Sequence, residues 1–213
     1  MNPFCICVYL HYMLQVHYIL QLILLLLEAS LRQKFLKLLH SNYIHNYTIG
    51  EECYISNVST IETTEGATYG EGNLISVLNE IGEGNVMLFG NLNSQLAAFM
   101  VKHHSDKELR DKLRRLIYEE LSKTTPERGT IGFGAKVVNT KEIINTVIFD
   151  NCEINGASRL FDCSLLSVAG SSVYIGSGVI CENSIIADGS SVTNGCNLQD
   201  CFVGEACQLT NGF

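Results

Sequence analysis

The chain has 213 residues, of which 46% are hydrophobic and 17% charged, and its formal net charge is -8. This length and apolar content suffice for one sizeable core with a small appendage, and they exclude a disordered chain. Because Lys and Arg total only 14 and acids outnumber them, the basic surface that phosphate backbones require is missing, and nucleic acid is excluded as a partner.

The N-terminal segment, residues 1–41, is strongly apolar. Residues 6–27 contain no charged side chain and are long enough to cross a bilayer as one helix. Positive charges follow at Arg32, Lys34 and Lys37, which would hold the rest of the chain in the cytoplasm. The His and Gln residues inside the segment oppose insertion, so an anchor, a buried helix and a misassigned start all stay open. A membrane is a partner only if residues 6–27 insert.

Two blocks, residues 42–91 and 129–213, repeat a bulky apolar residue about every six positions, often with a small residue four places later. Several Gly and Asn residues follow at positions where a corner needs positive φ. This spacing predicts short strands whose large side chains fill one interior. The apolar positions are Ile49, Ile55, Ile61, Tyr69, Ile75, Ile81, Met87, Ile131, Val137, Ile148, Ile154, Leu160, Ile175, Ile180, Ile186, Val192, Leu198, Val203 and Leu209.

Residues 92–128 break this period and predict a helical insertion. A capping box at Ser105-Asp106-Lys107-Glu108 precedes a run with helical apolar spacing, and Pro126 and Gly129 end the excursion. The basic residues of this stretch alternate with acids and predict a solvated face rather than a ligand cluster. They are Lys107, Arg110, Lys112, Arg114 and Arg115.

The nine cysteines include no CxxC pair. Their odd count and spacing argue against a disulfide framework and against metal sites, and favour free, buried thiols in a reducing compartment. The predicted location is therefore cytoplasmic, with an N-terminal membrane anchor as the open alternative.

Together these patterns predict an all-β fold, a left-handed parallel β-helix of hexapeptide repeats with an α-helical insertion and an apolar N-terminal helix. The expected organisation is an N-terminal segment 1–41, a first block 42–91, a helical insertion 92–128 and a second block 129–213 that ends in mid-repeat. Antiparallel hairpins are the rival arrangement, because Asn-Gly between apolar runs is also a hairpin signal.

The stretch from Asn42 to Phe213 resembles the N-terminal part of an uncharacterised bacterial family, common in Bacteroides, with a domain of unknown function containing hexapeptide repeats. The resemblance implies that this chain is a fragment of a longer protein with a His-rich second half. Its wider likeness to hexapeptide acyltransferases implies a homo-oligomer, with a trimer favoured. The residues that carry the resemblance are Tyr47-Thr48-Ile49-Gly50, Val77-Leu78-Asn79-Glu80, Ser94-Gln95-Leu96-Ala97, Gly129-Thr130-Ile131-Gly132, Ile154-Asn155-Gly156-Ala157-Ser158-Arg159-Leu160 and Gly204-Glu205-Ala206-Cys207.

Few residues suggest chemistry. The two repeat blocks contain no His from residue 47 to 91 or from 129 to 213, so a general base of the kind acyl transfer needs is left to His103 or His104, and no metal site is predicted. Both histidines also suit a helix C-terminus without any catalytic role. Asn79, Glu80 and Arg159 are the candidate ligand-binding residues, with a corner position or surface solvation as the alternative.

Two functional classes remain after these observations. The first is a transferase acting on sugars or nucleotide sugars, with a small-molecule sugar as ligand and acyl-coenzyme A or a nucleotide sugar as the conceivable cofactor. The second is a non-catalytic structural or binding scaffold. Fold analogy favours the enzyme, and the scarcity of histidine favours the scaffold.

Overall fold

A computed structural model describes residues 37–39, 41, 43–76 and 84–212. The strands in chain order are β1 (Lys37–Leu39), β2 (Tyr43–His45), β3 (Tyr47–Ile49), β4 (Tyr54–Ser56), β5 (Thr60–Glu62), β6 (Leu74–Ser76), β7 (Asn85–Met87), β8 (Gly129–Ile131), β9 (Lys136–Val138), β10 (Glu142–Ile148), β11 (Glu153–Asn155), β12 (Arg159–Leu165), β13 (Tyr174–Ile175), β14 (Ile180–Ile186), β15 (Ser191–Thr193), β16 (Asn197–Gln199), β17 (Phe202–Val203) and β18 (Gln208–Thr210). Two helices, α1 (Ser94–Lys102) and α2 (Lys107–Thr124), lie between β7 and β8.

Two parallel sheets contain sixteen of these strands. The seven-stranded sheet has the order β1-β4-β9-β11-β13-β15-β18. The nine-stranded sheet has the order β16-β14-β12-β10-β5-β2, with β17 paired to β14 and β8 paired to both β3 and β10. Within the second block, residues 17 apart face each other, as Lys136 and Glu153 do across β9 and β11. The offset widens between β12 and β14, where Arg159 faces Ile180, because the chain adds a short loop around Val168.

Alternating side chains of both sheets form the main core. Ile55, Val137, Ile154 and Ile175 are fully buried from strands of the first sheet, and Ile61, Ile143, Leu160 and Ile186 from strands of the second. Small residues fill the tight positions between strands, including Cys53, Ala135, Cys152 and Cys196. Each fully buried aliphatic side chain contributes about 1.5–3 kcal/mol to folding.

One predicted interior position is wrong. Ile180 is only partly buried and faces outward beside Arg159, whereas Cys181 is fully buried and faces Leu160. A six-residue step from Ile175 leads to Cys181, so the period of buried positions holds there. The larger apolar side chain, Ile180, comes one residue before that position. In this structure the register decides which side chain is buried, because a one-residue shift would turn the whole strand over.

The three seven-residue strands bend at a residue with positive φ, namely Asn145 (φ 50), Asp162 (φ 48) and Asn183 (φ 49). Asn and Asp tolerate this region better than other side chains. Two of the bends also bind the loop after β5. The carboxylate of Asp162 accepts hydrogen bonds from the backbone N–H groups of Thr68 (2.8 Å) and Tyr69 (3.0 Å), and Asn145 Oδ1 accepts one from the N–H of Thr64 (2.8 Å).

The third sheet is an antiparallel pair, β6 with β7, and it packs with the helices on the outer side of the nine-stranded sheet. Their shared second core contains Ile75 and Val86 from the pair, Ile117 from α2 and Ile185 from β14. The side chains of Asn93 and Asp106 cap α1 and α2 by accepting from the N–H groups of Leu96 and Leu109. The capping-box prediction was wrong by one residue, since Asp106 rather than Ser105 is the N-cap.

This arrangement contradicts the expected all-β left-handed parallel β-helix. The described strands form three sheets, two parallel and one antiparallel, and two helices pack beside them, so the architecture is a mixed one. A six-residue apolar period specifies short strands with one buried face, but it carries no information about closure or handedness, and there the prediction failed. The rival hairpin arrangement is found in one strand pair, β6 and β7.

The predicted N-terminal helix, residues 6–27, lies outside the residues that the structure describes. Within the described part of the chain, no helix has both the length and the apolar character needed to span a membrane. Seven of the nine cysteines lie in the described part of the chain. Five of them are buried, as predicted, whereas Cys201 and Cys207 are partly exposed.

Candidate functional site

A cavity of about 470 Å³ opens where α1, α2 and the β6–β7 pair meet. We call it the basic cavity. Its lining combines apolar side chains with two histidines and two arginines. Its lining residues are Leu74, Gly84, Asn85, Met87, Met100, His103, His104, Ser105, Arg110, Leu113 and Arg114. The volume lies in the range of about 300–1,000 Å³ that is typical of small-molecule pockets.

His103 is placed at this cavity by the end of α1. It is the C-cap residue, its backbone N–H donates to the Phe99 carbonyl, and its ring lies 4.6 Å from the ring of Phe99 between centroids. A histidine at a helix C-terminus is favoured by the helix dipole, as the sequence suggested. His103 begins the short connection between α1 and α2, and the next residue, His104, also lines the cavity.

His104 is oriented by a backbone hydrogen bond. Its Nδ1 lies 2.9 Å from the Val101 carbonyl oxygen, which can only accept, so Nδ1 carries the hydrogen. In the neutral ring, Nε2 then carries the lone pair and is the atom that can take a proton. The Arg110 Nη1 donates to the His104 carbonyl oxygen at 3.1 Å and holds the connection between the helices in place.

Arg114 lies one helical turn after Arg110 and contributes the second guanidinium. It forms no ion pair or hydrogen bond with any residue in the described part of the chain, although α2 is rich in acids. The described lining of the cavity contains no Asp or Glu. The charged side chains among the described lining residues are therefore those of the two arginines, and guanidinium groups favour anions.

Of the five residues predicted as functional, His103 and His104 are together at the basic cavity. Asn79 and Glu80 lie outside the described residues. Arg159 lies apart from the cavity, on the face of the nine-stranded sheet.

The guanidinium of Arg159 is already held by protein groups. Its Nη1 lies 2.7 Å from Glu182 Oε1, its Nε lies 3.5 Å from Glu142 Oε2, and its Cζ lies 4.8 Å from the centroid of the Phe161 ring. These partners come from the neighbouring strands β10 and β14 and from β12 itself. Arg159 thus links three strands, and a ligand would have to compete with two carboxylates for it.

Sequence reasoning missed Arg110 and Arg114, which it assigned to a solvated face with the other basic residues of α2. That interpretation suits Lys112, whose exposed ammonium pairs with Glu108 at 2.7 Å. Arg110 and Arg114 are four residues apart and so lie on one side of the helix. This spacing, together with the two histidines just before the helix, was the signal that could have identified them.

No group of three or more His, Cys, Asp or Glu side chains in the described ranges is arranged to hold a metal ion. Fold and cavity together define a class of protein: a parallel-sheet domain whose helical insertion lines a small-molecule-sized cavity with histidine and arginine side chains. Residues 17–213 match the model of a domain of unknown function, and the chain therefore belongs to the DUF4954 family.

No curated protein and no solved structure matches the chain. The family match confirms the resemblance to a family with a domain of unknown function. The hexapeptide repeats and the Bacteroides origin in that resemblance rest on sequence likeness alone.

Proposed function

We propose that this chain is the ligand-binding part of a transferase acting on sugars or nucleotide sugars, and that the basic cavity binds the phosphate of its substrate. The observation that carries the proposal is the convergence of His103, His104, Arg110 and Arg114 on one cavity. Guanidinium groups bind phosphate through two parallel hydrogen bonds, which gives orientation as well as affinity.

The apolar part of the lining suits the rest of such a ligand. Leu74, Met87, Met100 and Leu113 form an apolar surface on which a base or the apolar face of a sugar can pack. Sugar phosphates, nucleotide sugars and acyl-coenzyme A all combine a phosphate with a bulkier group and belong to the expected ligand class. His103 or His104 is the candidate general base for an acceptor hydroxyl.

Thermal unfolding of the protein in the presence of sugar phosphates, nucleotide sugars and acyl-coenzyme A tests the proposal. A ligand at one hundred times its Kd adds about 2.7 kcal/mol to the free energy of unfolding, which a melting curve detects easily. Arg114→Gln should reduce the shift, whereas Arg115→Gln, on the exposed neighbouring position of the same helix, should leave it unchanged. A shift that survives Arg114→Gln would place the phosphate elsewhere.

If the protein unfolds cooperatively and none of these compounds raises its melting temperature, the result favours the alternative function, a non-catalytic structural or binding scaffold. A homo-oligomer, with a trimer favoured, and a cytoplasmic location belong to the same proposal. The free thiols at the described cysteines support the reducing compartment. Light scattering on the purified protein measures the oligomer directly, and a monomeric mass would remove that part of the proposal.

A further inference from the structure

A second cavity, of about 490 Å³, lies at the other end of α2, between that helix and the outer side of the nine-stranded sheet. We call it the acidic cavity. Glu71, Glu120 and Asp188 contribute its charge, and the residues of its lining that the structure describes include no Lys, Arg or His. Helix α2 therefore separates two cavities of opposite charge, since Arg110 and Arg114 near its beginning line the basic one.

Glu71 is the carboxylate of this set that a backbone N–H group holds in place. Its Oε1 accepts a hydrogen bond from the Gly90 N–H at 2.9 Å. The Thr125 hydroxyl lies 3.5 Å from its Oε2 but 2.8 Å from the Leu121 carbonyl oxygen, and one hydroxyl hydrogen cannot serve both acceptors. Oε2 is thus left with the weaker partner.

No Lys or Arg in the part of the chain that the structure describes forms an ion pair with Glu71. Burial raises the pKa of Glu71 despite the hydrogen bond from Gly90. Burying a carboxylate without a nearby cation destabilises its charged form. A bound ligand that carries a positive charge would stabilise that form.

The remaining walls suit a ring. Phe149 is 43% exposed and lines the cavity together with Phe89. The hydroxyls of Ser164 and Ser167 donate to the carbonyl oxygens of Tyr69 and Asp150, so their own oxygens remain as acceptors. An aromatic surface beside carboxylate and hydroxyl oxygens can bind a polyhydroxylated ring that also carries a positive charge.

We propose that the acidic cavity binds an amino sugar, with its ammonium group at Glu71 and Asp188 and its ring against Phe149. The site is separate from the basic cavity of the proposed function and uses none of its residues. Either site can therefore exist without the other, and the experiments below tell the two failures apart.

The test is titration calorimetry of the full chain with glucosamine, at a pH below the pKa of the amine, against N-acetylglucosamine and glucuronate as matched neutral and anionic rings. Glucosamine should bind most tightly and glucuronate least. Loss of one charge-assisted hydrogen bond weakens binding about tenfold, so this factor is expected between glucosamine and its N-acetyl form. Equal affinity for the two would overturn the proposal.

Variants locate the binding. Glu71→Gln keeps an acceptor for the Gly90 N–H and should weaken glucosamine binding about tenfold, and Asp188→Asn should weaken it in the same direction. Glu108→Gln, on the exposed surface of α2, is the matched control and should leave glucosamine binding unchanged. If Glu71→Gln lowers the melting temperature, its weaker binding could come from unfolding. Asp188→Asn then tests the same prediction of weaker glucosamine binding at a second residue of the cavity.

Arg114→Gln distinguishes the two sites. It should leave glucosamine binding unchanged, and Glu71→Gln should leave the thermal shift with sugar phosphates unchanged. If Arg114→Gln weakens glucosamine binding as much as Glu71→Gln does, the amine does not bind at the acidic cavity and the proposal fails.

Discussion

Asp162 shows how a single residue connects backbone conformation with tertiary structure. It occupies a positive φ in the middle of β12, and its carboxylate accepts from two consecutive backbone N–H groups of the loop after β5. The side chain is only 9% exposed and Tyr69 is fully buried, so the Tyr69 N–H would lack a partner without it. The bend in the strand and the path of the loop are therefore maintained by the same residue.

We expect Asp162→Ala to lower the free energy of unfolding by about 3 kcal/mol, because it leaves the buried Tyr69 N–H unpaired and places an unsuited residue at positive φ. Asp162→Asn keeps an acceptor oxygen and a side chain that tolerates this conformation, so its loss should stay below about 1 kcal/mol. Urea unfolding of both variants measures the difference. Equal losses would mean that the carboxylate charge, not the acceptor geometry, holds the loop.

At the scale of elements, α2 attaches to the rest of the protein through a narrow apolar face. Ile117 is buried in the second core, whereas its neighbour Leu116 is 62% exposed. Both cavities use this helix as a wall, so its seating on the sheet determines their shapes.

Ile117→Ala should cost about 2–5 kcal/mol of stability, as is usual when a packed aliphatic side chain leaves a cavity. Leu116→Ala makes the same kind of truncation at an exposed position of the same helix. It should change the free energy of unfolding by no more than about 0.5 kcal/mol. Chemical unfolding of the two variants checks the orientation of the helix. Comparable losses at both positions would show that α2 packs by a different face.

The sequence was informative about elements and much less so about their assembly. Its apolar period identified the inward side chains of most strands, among them Ile55, Ile154 and Val192, because alternation is a local property. It also marked the two histidines that line the basic cavity. It did not reveal the β6–β7 pair, the joining of strands into sheets, or the role of Arg110 and Arg114, because these depend on contacts between residues distant in sequence.

At the scale of the whole molecule, β14 connects two cores. Ile186 is buried in the main core between the parallel sheets, and the preceding Ile185 is buried in the second core under the helices and the β6–β7 pair. Adjacent residues of one strand point to opposite faces, so these two isoleucines report on different parts of the protein.

Hydrogen exchange should separate the two contributions. Ile185→Ala should accelerate exchange mainly in α1, α2 and the β6–β7 pair, because local opening of that layer becomes easier while the sheets stay packed. Ile186→Ala should accelerate exchange across the parallel sheets, with a loss of about 2–5 kcal/mol in global stability. Identical exchange patterns in the two variants would show that both cores unfold as one unit.

The buried thiols give the protein a set of natural reporters. Cys53, Cys152, Cys163, Cys181 and Cys196 are distributed along the main core, from the turn after β3 to the turn before β16, and none is accessible in the folded chain. An alkylating reagent can reach each one only when its own segment opens. Timed alkylation read by mass spectrometry would therefore give the order in which the sheets come apart, without any engineered cysteine.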